Sequence, residues 1–452
     1  MTAKPAKHES SATESNQSLA RTLVPSDRRE FVKSSLVGTA AIGLGTSFLQ
    51  RSVHAAGDDI LRVGLVGCGG RGTGAASNVM TADKYAHLVA MADLFPDRLE
   101  QSRRLLEKDK NANQYQVDDD HCYVGLDAYQ QLLDNAEVDV VCLCTPPHFR
   151  PAMLEAAIKA GKHVFCEKPV AVDSAGVRKV LELTKQAEEK GLNLVSGLCW
   201  RYDRGVKATM ARIKEGAIGD IRAVQENYLT GTLWHRGHKP EWSDMEFQMR
   251  NWLYFKWLSG DHIVEQFIHS LDKSLWLHND EPPVAAYGQG GRQVRTGEEF
   301  GDVFDHFSVI YEWSDGTRTH AFTRQMAGCF NQTEDFVYGT KGTAQILANT
   351  TSGEAGDWKF DGEKPSMYDE EHRALFSAIR EGKPINNGTY MSYSTLMAIM
   401  GREVCYSGRT ITWEELLNSP MDFTPHSYEM GPAPTVSIPE PGKYRTPVAD
   451  KA

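Results

Sequence analysis

The stretch Leu61–Gly72, LRVGLVGCGGRG, constrains this chain more than any other. An apolar run able to be buried on both faces ends in Gly67, Gly69 and Gly72, spaced G-x-G-x-x-G, and Gly72–Thr81 has helical character. Glycines at such a junction permit a tight turn. They also let a pyrophosphate reach backbone N–H groups at a helix N-terminus, with Gly70 and Arg71 inside the same loop. The next apolar run, AHLVAMADL, ends in Asp93, roughly 20 residues past the last glycine, where a carboxylate reads a ribose 2′-hydroxyl. That carboxylate would repel a 2′-phosphate, so NAD is expected as cofactor and NADP less so. A glycine-rich turn with no ligand remains the competing reading of the loop taken alone.

Strand and helix patterns then alternate. VDVVCLCTP, KHVFCEKP and NLVSGLCWRY read as strands, with helices over Pro96–Glu107, Arg150–Gly161 and Ser174–Lys190. Near-continuous Val/Ile/Leu strands between helices imply a parallel sheet covered on both faces. After about residue 217 the runs AIGDIRAVQENYL, VFDHFSVIYEW, TRTHAFTRQMAG and EDFVYGTKGTAQIL are separated by Gly and Asp turns, with one helix expected over Asp261–Leu277. The fold class is therefore α/β: a Rossmann domain over 57–190, then an α+β domain with a large, mostly antiparallel sheet over 191–418. The helices Met367–Glu381 and Ser392–Ser407 are expected to pack back on the first domain, and 419–452 reads as a Pro-rich tail.

Residues 1–56 read as a leader. A polar start precedes Arg28-Arg29, then Phe31, Val32 and Lys33, and a mildly apolar Ser34–Leu49 too weak for a membrane span. A small-residue end at Val53-His54-Ala55 offers a cleavage point. The pattern fits a twin-arginine signal and hence an exported, periplasmic protein. A net charge of −11 with no long basic run argues against nucleic acid as a partner. Eight cysteines form no spaced framework, so thiols such as Cys142 and Cys144 are read as core residues and no metal site is expected.

Three motifs carry chemistry. Thr145-Pro146-Pro147-His148-Phe149 follows a strand and forms a rigid wall where a cofactor would lie. Glu167-Lys168-Pro169 lies at the C-terminal end of a parallel strand, where ligands bind in open sheets. In GDHIVEQFIHSLD, Glu265, His269 and Asp272 fall at i, i+4 and i+7 on one helical face. That face suits a histidine base oriented by a carboxylate. It also suits a solvated stripe, or a metal if His262 joins it. Between the motifs, Trp234, His235, Arg236, Lys239, Trp242, Arg250, Trp252 and Trp257 crowd one segment. Flat aromatic faces and guanidinium groups suit a sugar; an ordinary core or subunit interface is the alternative.

GLVGCGGRG, Asp93, TPPHF, AGKHVFCEKP, the WRY of Trp200–Tyr202 and the H-x-x-D of His269–Asp272 together resemble the glucose–fructose oxidoreductase / inositol dehydrogenase / rhizopine catabolism family of NAD(P)-dependent sugar oxidoreductases. The resemblance covers about Ile60–Ser407. It implies Lys168 beside the nicotinamide and substrate and His269 as the proton acceptor, with Glu265 the third catalytic candidate. Thr145, Pro146, His148, Glu167 and Lys168 are candidates for holding the cofactor, and Arg201, Tyr202, Trp234, His235, Arg236, Trp252 and Asp272 for holding the substrate. Two departures stand out: Glu265 where many members have Asp, and Arg150 where many have His.

The expected reaction is hydride transfer from a hydroxyl of a sugar, glycoside or cyclic polyol to a tightly held cofactor. A glycosidase or lyase using transient oxidation, and a non-catalytic sugar-binding Rossmann protein, are the alternatives. A homo-oligomer formed through the open face of the second sheet is also expected.

Overall fold

The structure is a computed structural model that describes residues 59–448. The expected leader with Arg28-Arg29 lies outside the described residues, as do the last residues of the tail. From Leu61 the chain alternates as the apolar pattern predicts. The units are β1 (Leu61–Val66), α1 (Gly70–Ala82), β2 (Ala86–Asp93), α2 (Pro96–Leu106), β3 (Cys122–Val124), α3 (Ala128–Asn135), β4 (Val140–Leu143), α4 (Arg150–Lys159), β5 (His163–Cys166), α5 (Ser174–Glu189) and β6 (Leu194–Ser196). The strands are all parallel, in the order 3-2-1-4-5-6. Val63, Leu65, Val140, Val141 and Phe165 are buried because helices cover both faces. The order reverses between β1 and β4, which opens a crevice at the strands' C-terminal ends. β6 carries the sheet past residue 190, where the first domain was expected to end.

The chain continues through α6 (Arg204–Lys214), β7 (Ile221–Thr230), α7 (Asp244–Arg250), α8 (Lys256–Ser259), α9 (His262–Glu265), α10 (Ile268–Leu277), β8 (Ala285–Gly291), β9 (His306–Glu312), β10 (Arg318–Gln325), β11 (Gln332–Gly339), β12 (Gly342–Gln345), β13 (Thr350–Gly353) and β14 (Trp358–Lys359). It closes with α11 (Met367–Glu381), α12 (Gly388–Ser407), β15 (Ile411–Thr412) and α13 (Trp413–Leu417). The second sheet runs 14-13-12-11-7-10-9-8-15. Only its β7–β10 pair is parallel, because the helices α7–α10 carry the chain back across the sheet. Alternation along β9 and β10 buries Phe307, Val309, Tyr311 and Ala321 on one face and leaves Phe322 exposed on the other.

α12 is buried along almost its whole length. It packs on α5 of the parallel-sheet half and on α10, β8 and β9 of the other, while α11 packs on α1. The last helices therefore join the two halves. The segment after Leu417 forms no helix or strand as far as residue 448, yet it is anchored. Phe423 N donates to Asp173 Oδ2 (2.9 Å), and Met245 N donates to Gly431 O (3.0 Å). Among the described residues no helix is long and apolar enough to cross a membrane.

Candidate active site

A cavity of about 560 Å³ runs along the crevice of the parallel sheet and beneath the second half of the chain. Its glycine end is built as the motif demands. Gly67 has φ +95°, and a Cβ there would lie 2.7 Å from the backbone of Cys144 and Thr145. A Cβ at Gly72 would sit 1.8 Å from Gly67 O, so this glycine lets the helix approach the strand from behind the cavity. Gly69 and Gly70 are different: nothing lies within 4 Å of a Cβ at either. They open onto the cavity at the N-terminus of α1, which has no side-chain cap. Unpaired N–H groups and the helix dipole there suit a pyrophosphate.

Asp93 closes β2 and lines the same cavity. Its Oδ2 accepts from Cys68 N (2.6 Å) and its Oδ1 from Phe95 N (2.9 Å), which fixes the carboxylate's direction. Burial raises its pKa while those N–H groups and the Arg98 charge oppose the rise. Arg71 lies over the loop, ion-paired to Glu167 Oε1 (3.1 Å) and over the Tyr368 ring at 4.7 Å. The open glycine cradle, the uncapped helix end and the aimed carboxylate fit a dinucleotide.

The other end is organised by a break in a helix. Asp261–Leu277 is not one helix: α9 ends at Glu265 and α10 starts at Ile268. Gln266 N and Phe267 N both donate to His262 O (2.9 and 3.1 Å), and His269 N donates to Gln266 O (3.2 Å). Glu265 O is thereby free, and Lys168 Nζ takes it at 2.6 Å while also donating to Glu265 Oε1 at 3.0 Å. The entry to α9 is set by Asp261, whose φ of 76° is costly for a non-glycine residue, about 1–3 kcal/mol. Its carboxylate accepts from His262 N (2.5 Å), Phe304 N (2.7 Å) and Tyr406 OH (2.6 Å), which offsets that cost.

His269 lines the cavity, half-buried, with its Nδ1 enclosed and without a hydrogen-bond partner. Burial, then the Lys168 and Lys273 charges, hold its pKa well below the usual histidine value. It is neutral at pH 7 and able to take a proton. Lys168 offers a cation beside it. The arrangement can accept a proton from a hydroxyl and stabilise the oxygen left behind.

The site is walled by Thr145 and Pro146, and by Arg150, whose guanidinium donates to Thr145 O and Pro169 O and ties the two loops together. Trp234, Arg236 and Trp252 reach the cavity from the second half of the chain. Other expected residues lie elsewhere. Arg201 forks onto Asp272 (2.8–3.0 Å) and reaches Asp280, stacked over Tyr390, so both Arg201 and Asp272 are held in a buried ion pair outside the cavity. Asp272 also accepts from Ser394 (2.8 Å) and is not the partner of His269. Tyr202 OH donates to Asn387 (2.8 Å) away from the cavity, and His235 pairs with Glu299 O (3.0 Å). His148 pairs with Tyr428 OH (2.7 Å) behind the wall, where burial pushes its pKa down to about 4.

His262 bonds Asp261 and Phe304 O rather than joining His269. Among the described residues no cluster of three or more His, Cys, Asp or Glu is arranged to hold a metal. Cys144, expected in the core, borders the cavity. Sequence reasoning missed Gln266, Arg98 and Tyr368. Gln266 faces the cavity only because the helix breaks beside it, and Tyr368 arrives on α11 with no local signal.

A family profile described as "Oxidoreductase family, NAD-binding Rossmann fold" matches residues 61–195, and one described as "GFO/IDH/MocA C-terminal domain" matches residues 206–345. The chain belongs to the GFO/IDH/MocA oxidoreductase family. Myo-inositol 2-dehydrogenase of Thermotoga maritima is 32% identical over 372 residues, covering 79% of this chain and 100% of that protein. 2,7-Anhydro-N-acetylneuraminate hydratase of Escherichia coli is 27% identical over 232 residues, covering 51% of this chain and 57% of the relative's length. Among solved structures, GenD2 from gentamicin A biosynthesis in complex with NAD has a TM-score of 0.60 at 18% identity, covering 82% of this chain and 99% of that one. In GFO/IDH/MocA terms the parallel sheet is the nucleotide-binding domain and the nine-stranded sheet the C-terminal domain.

Proposed function

We propose that this GFO/IDH/MocA protein oxidises a hydroxyl of a sugar or cyclic polyol, with NAD rather than NADP as the retained partner. The observation that carries the reading is the joining of Lys168 Nζ to Glu265, with His269 in the same cavity as the open glycine cradle. Gly69, Gly70 and Arg71 would hold the pyrophosphate, Asp93 the ribose, and Thr145, Pro146 and Lys168 the nicotinamide end. The dinucleotide supplies the hydride acceptor. His269 takes the hydroxyl proton and Lys168 donates to the same oxygen, stabilising its growing negative charge. Glu265 holds the ammonium in place from two sides, through its carbonyl and its carboxylate. Trp234 and Trp252 offer flat faces to a ring, and Arg236 offers a donor.

The relative matched over its whole length is a dehydrogenase, which favours net oxidation over a transient-oxidation glycosidase or lyase. The preference for NAD follows from the Asp93 carboxylate. Adding hexoses and cyclic polyols to pure protein with NAD should produce reduced-nicotinamide absorbance and a product two hydrogens lighter. If no sugar or polyol does so, the reading fails.

Two further parts of the reading concern assembly and address. The half-exposed face of the nine-stranded sheet, with Phe322 and Tyr338 outward, is proposed to pair with another copy, and light scattering showing only monomer would refute this. The Arg28-Arg29 leader is proposed to direct export, for which a retained cofactor is suited because an exported enzyme meets no cytoplasmic NAD pool.

A further inference from the structure

Behind Gln266 lies a short polar chain. Arg295, almost wholly buried, donates through its guanidinium NH2 to Gln325 Oε1, and Gln325 Nε2 donates to Gln266 Oε1 at 2.5 Å. Gln325 is itself 1% exposed, and its backbone N–H is taken by Asp305 O (2.9 Å). Gln266 lines the cavity beside Glu265, within the helix break.

The direction of this chain is not free. A guanidinium has donors and no acceptor, so it accepts only the oxygen end of Gln325. The amide nitrogen of Gln325 then faces Gln266, which must offer its own oxygen in return. The remaining polar group of Gln266 is its NH2. A glutamine in solvent can present either end to a ligand; here a buried arginine two side chains away has chosen.

We propose that Gln266 reads a second oxygen of the substrate, donating from Nε2 to an acceptor beside the reacting hydroxyl, and that Arg295 acts through Gln325 as the positioning residue that fixes this polarity. The ligand class is a polyol with oxygens on neighbouring carbons, one at Lys168 and His269 and the next at Gln266. A substrate lacking the second oxygen would leave the amide without that partner, a loss of about 5- to 100-fold in affinity. The inference rests on the sugar or polyol reading above.

Two near-isosteric variants test it. Gln266→Glu replaces the donor with an acceptor while still receiving Gln325 Nε2. Gln325→Glu keeps a partner for Arg295 but can only accept from Gln266, which must turn its NH2 inward and present oxygen to the cavity. Gln325 does not line the cavity, so any effect on ligand travels through Gln266.

The experiment titrates NAD-loaded protein by calorimetry with D-glucose, myo-inositol and their monodeoxy analogues, and measures KM and kcat for those that turn over. Each variant should weaken the best-bound parent by about ten-fold or more. KM should rise more than kcat falls. One monodeoxy analogue should bind all three proteins equally, because it lacks the oxygen in question. Parent binding unchanged in both variants would overturn the inference, as would equal losses against every analogue, which a merely structural role would give. If wild-type protein binds neither parent, the polyol reading falls and takes this inference with it.

Discussion

Replacing Lys168 by Met keeps the aliphatic stem and removes the charge. Lys168 Nζ donates at 2.6 Å to Glu265 O and at 3.0 Å to Glu265 Oε1, with the two side chains 13% and 15% exposed. The variant loses both bonds and leaves Glu265 without its cation. It also loses the donor proposed for the substrate oxygen. A positioned group of this kind contributes about 10²–10⁴-fold in rate. The pH dependence separates this cause from general damage. His269 must be neutral to act as a base, so kcat/KM for oxidation falls on the acid side as the ring protonates. Burial comes first and the Lys168 charge second among the causes that lower its pKa. Removing Lys168 raises the pKa of His269, so the acid limb moves to higher pH. The variant should therefore be more impaired at about pH 6 than at about pH 8. The assay is kcat/KM across pH, with bound nucleotide measured on the same samples. Lys168→Met combined with His269→Ala should lose less than the product of the separate losses, because both act on one proton transfer. An acid limb that stays in place, or a loss multiplied in full, would refute the reasoning.

The two kinds of glycine should part company. Gly70→Ala should leave the melting temperature near wild type and abolish nucleotide retention, because its Cβ enters empty cradle; Gly72→Ala should cost about 1–3 kcal/mol or more of stability by overpacking against Gly67 O, read in a denaturant titration. Asp93→Ala should loosen NAD and admit NADP, measured by competitive binding, and an unchanged preference would mean the ribose is read elsewhere. Glu226, buried opposite Asp335, is pushed up to about 8, mainly by burial, so the folded chain keeps a proton that the unfolded chain releases. Stability from this group is fully present below its unfolded pKa of about 4.3 and is lost as pH rises through about 8. Glu226→Gln should therefore gain on wild type in thermal melts as pH is raised from about 5 to about 9. Arg28-Arg29→Lys-Lys should leave the protein in the cytoplasm, checked by cell fractionation.

The parallel sheet was legible because its strands are apolar without alternation, and the glycine loop because few other residues fit its spacing. Lys168 stands out at the end of a strand and His269 on a helical face, and the structure brings both to one cavity. The carbonyl of Glu265 was not, since a continuous helical face was assumed over Asp261–Leu277. The same assumption placed Asp272 beside His269 and left Gln266 aside. Arg201 and Asp272 misled for a simple reason: a buried ion pair and a substrate-binding pair use the same residue types. Tyr368 stands about three hundred residues from the glycine loop it covers through Arg71, and only the packing of α11 on α1 brings it there.

A single-turnover experiment tests the central claim most directly. Protein stripped of free nucleotide, with NAD bound, is mixed with the sugar or polyol that binds best, and reduced nicotinamide is followed by absorbance. The account predicts one rapid burst approaching one equivalent per occupied site in wild type, and a burst slowed by about 10²–10⁴-fold in His269→Ala with the same bound NAD. A wild-type burst that His269→Ala reproduces at full speed would contradict the account.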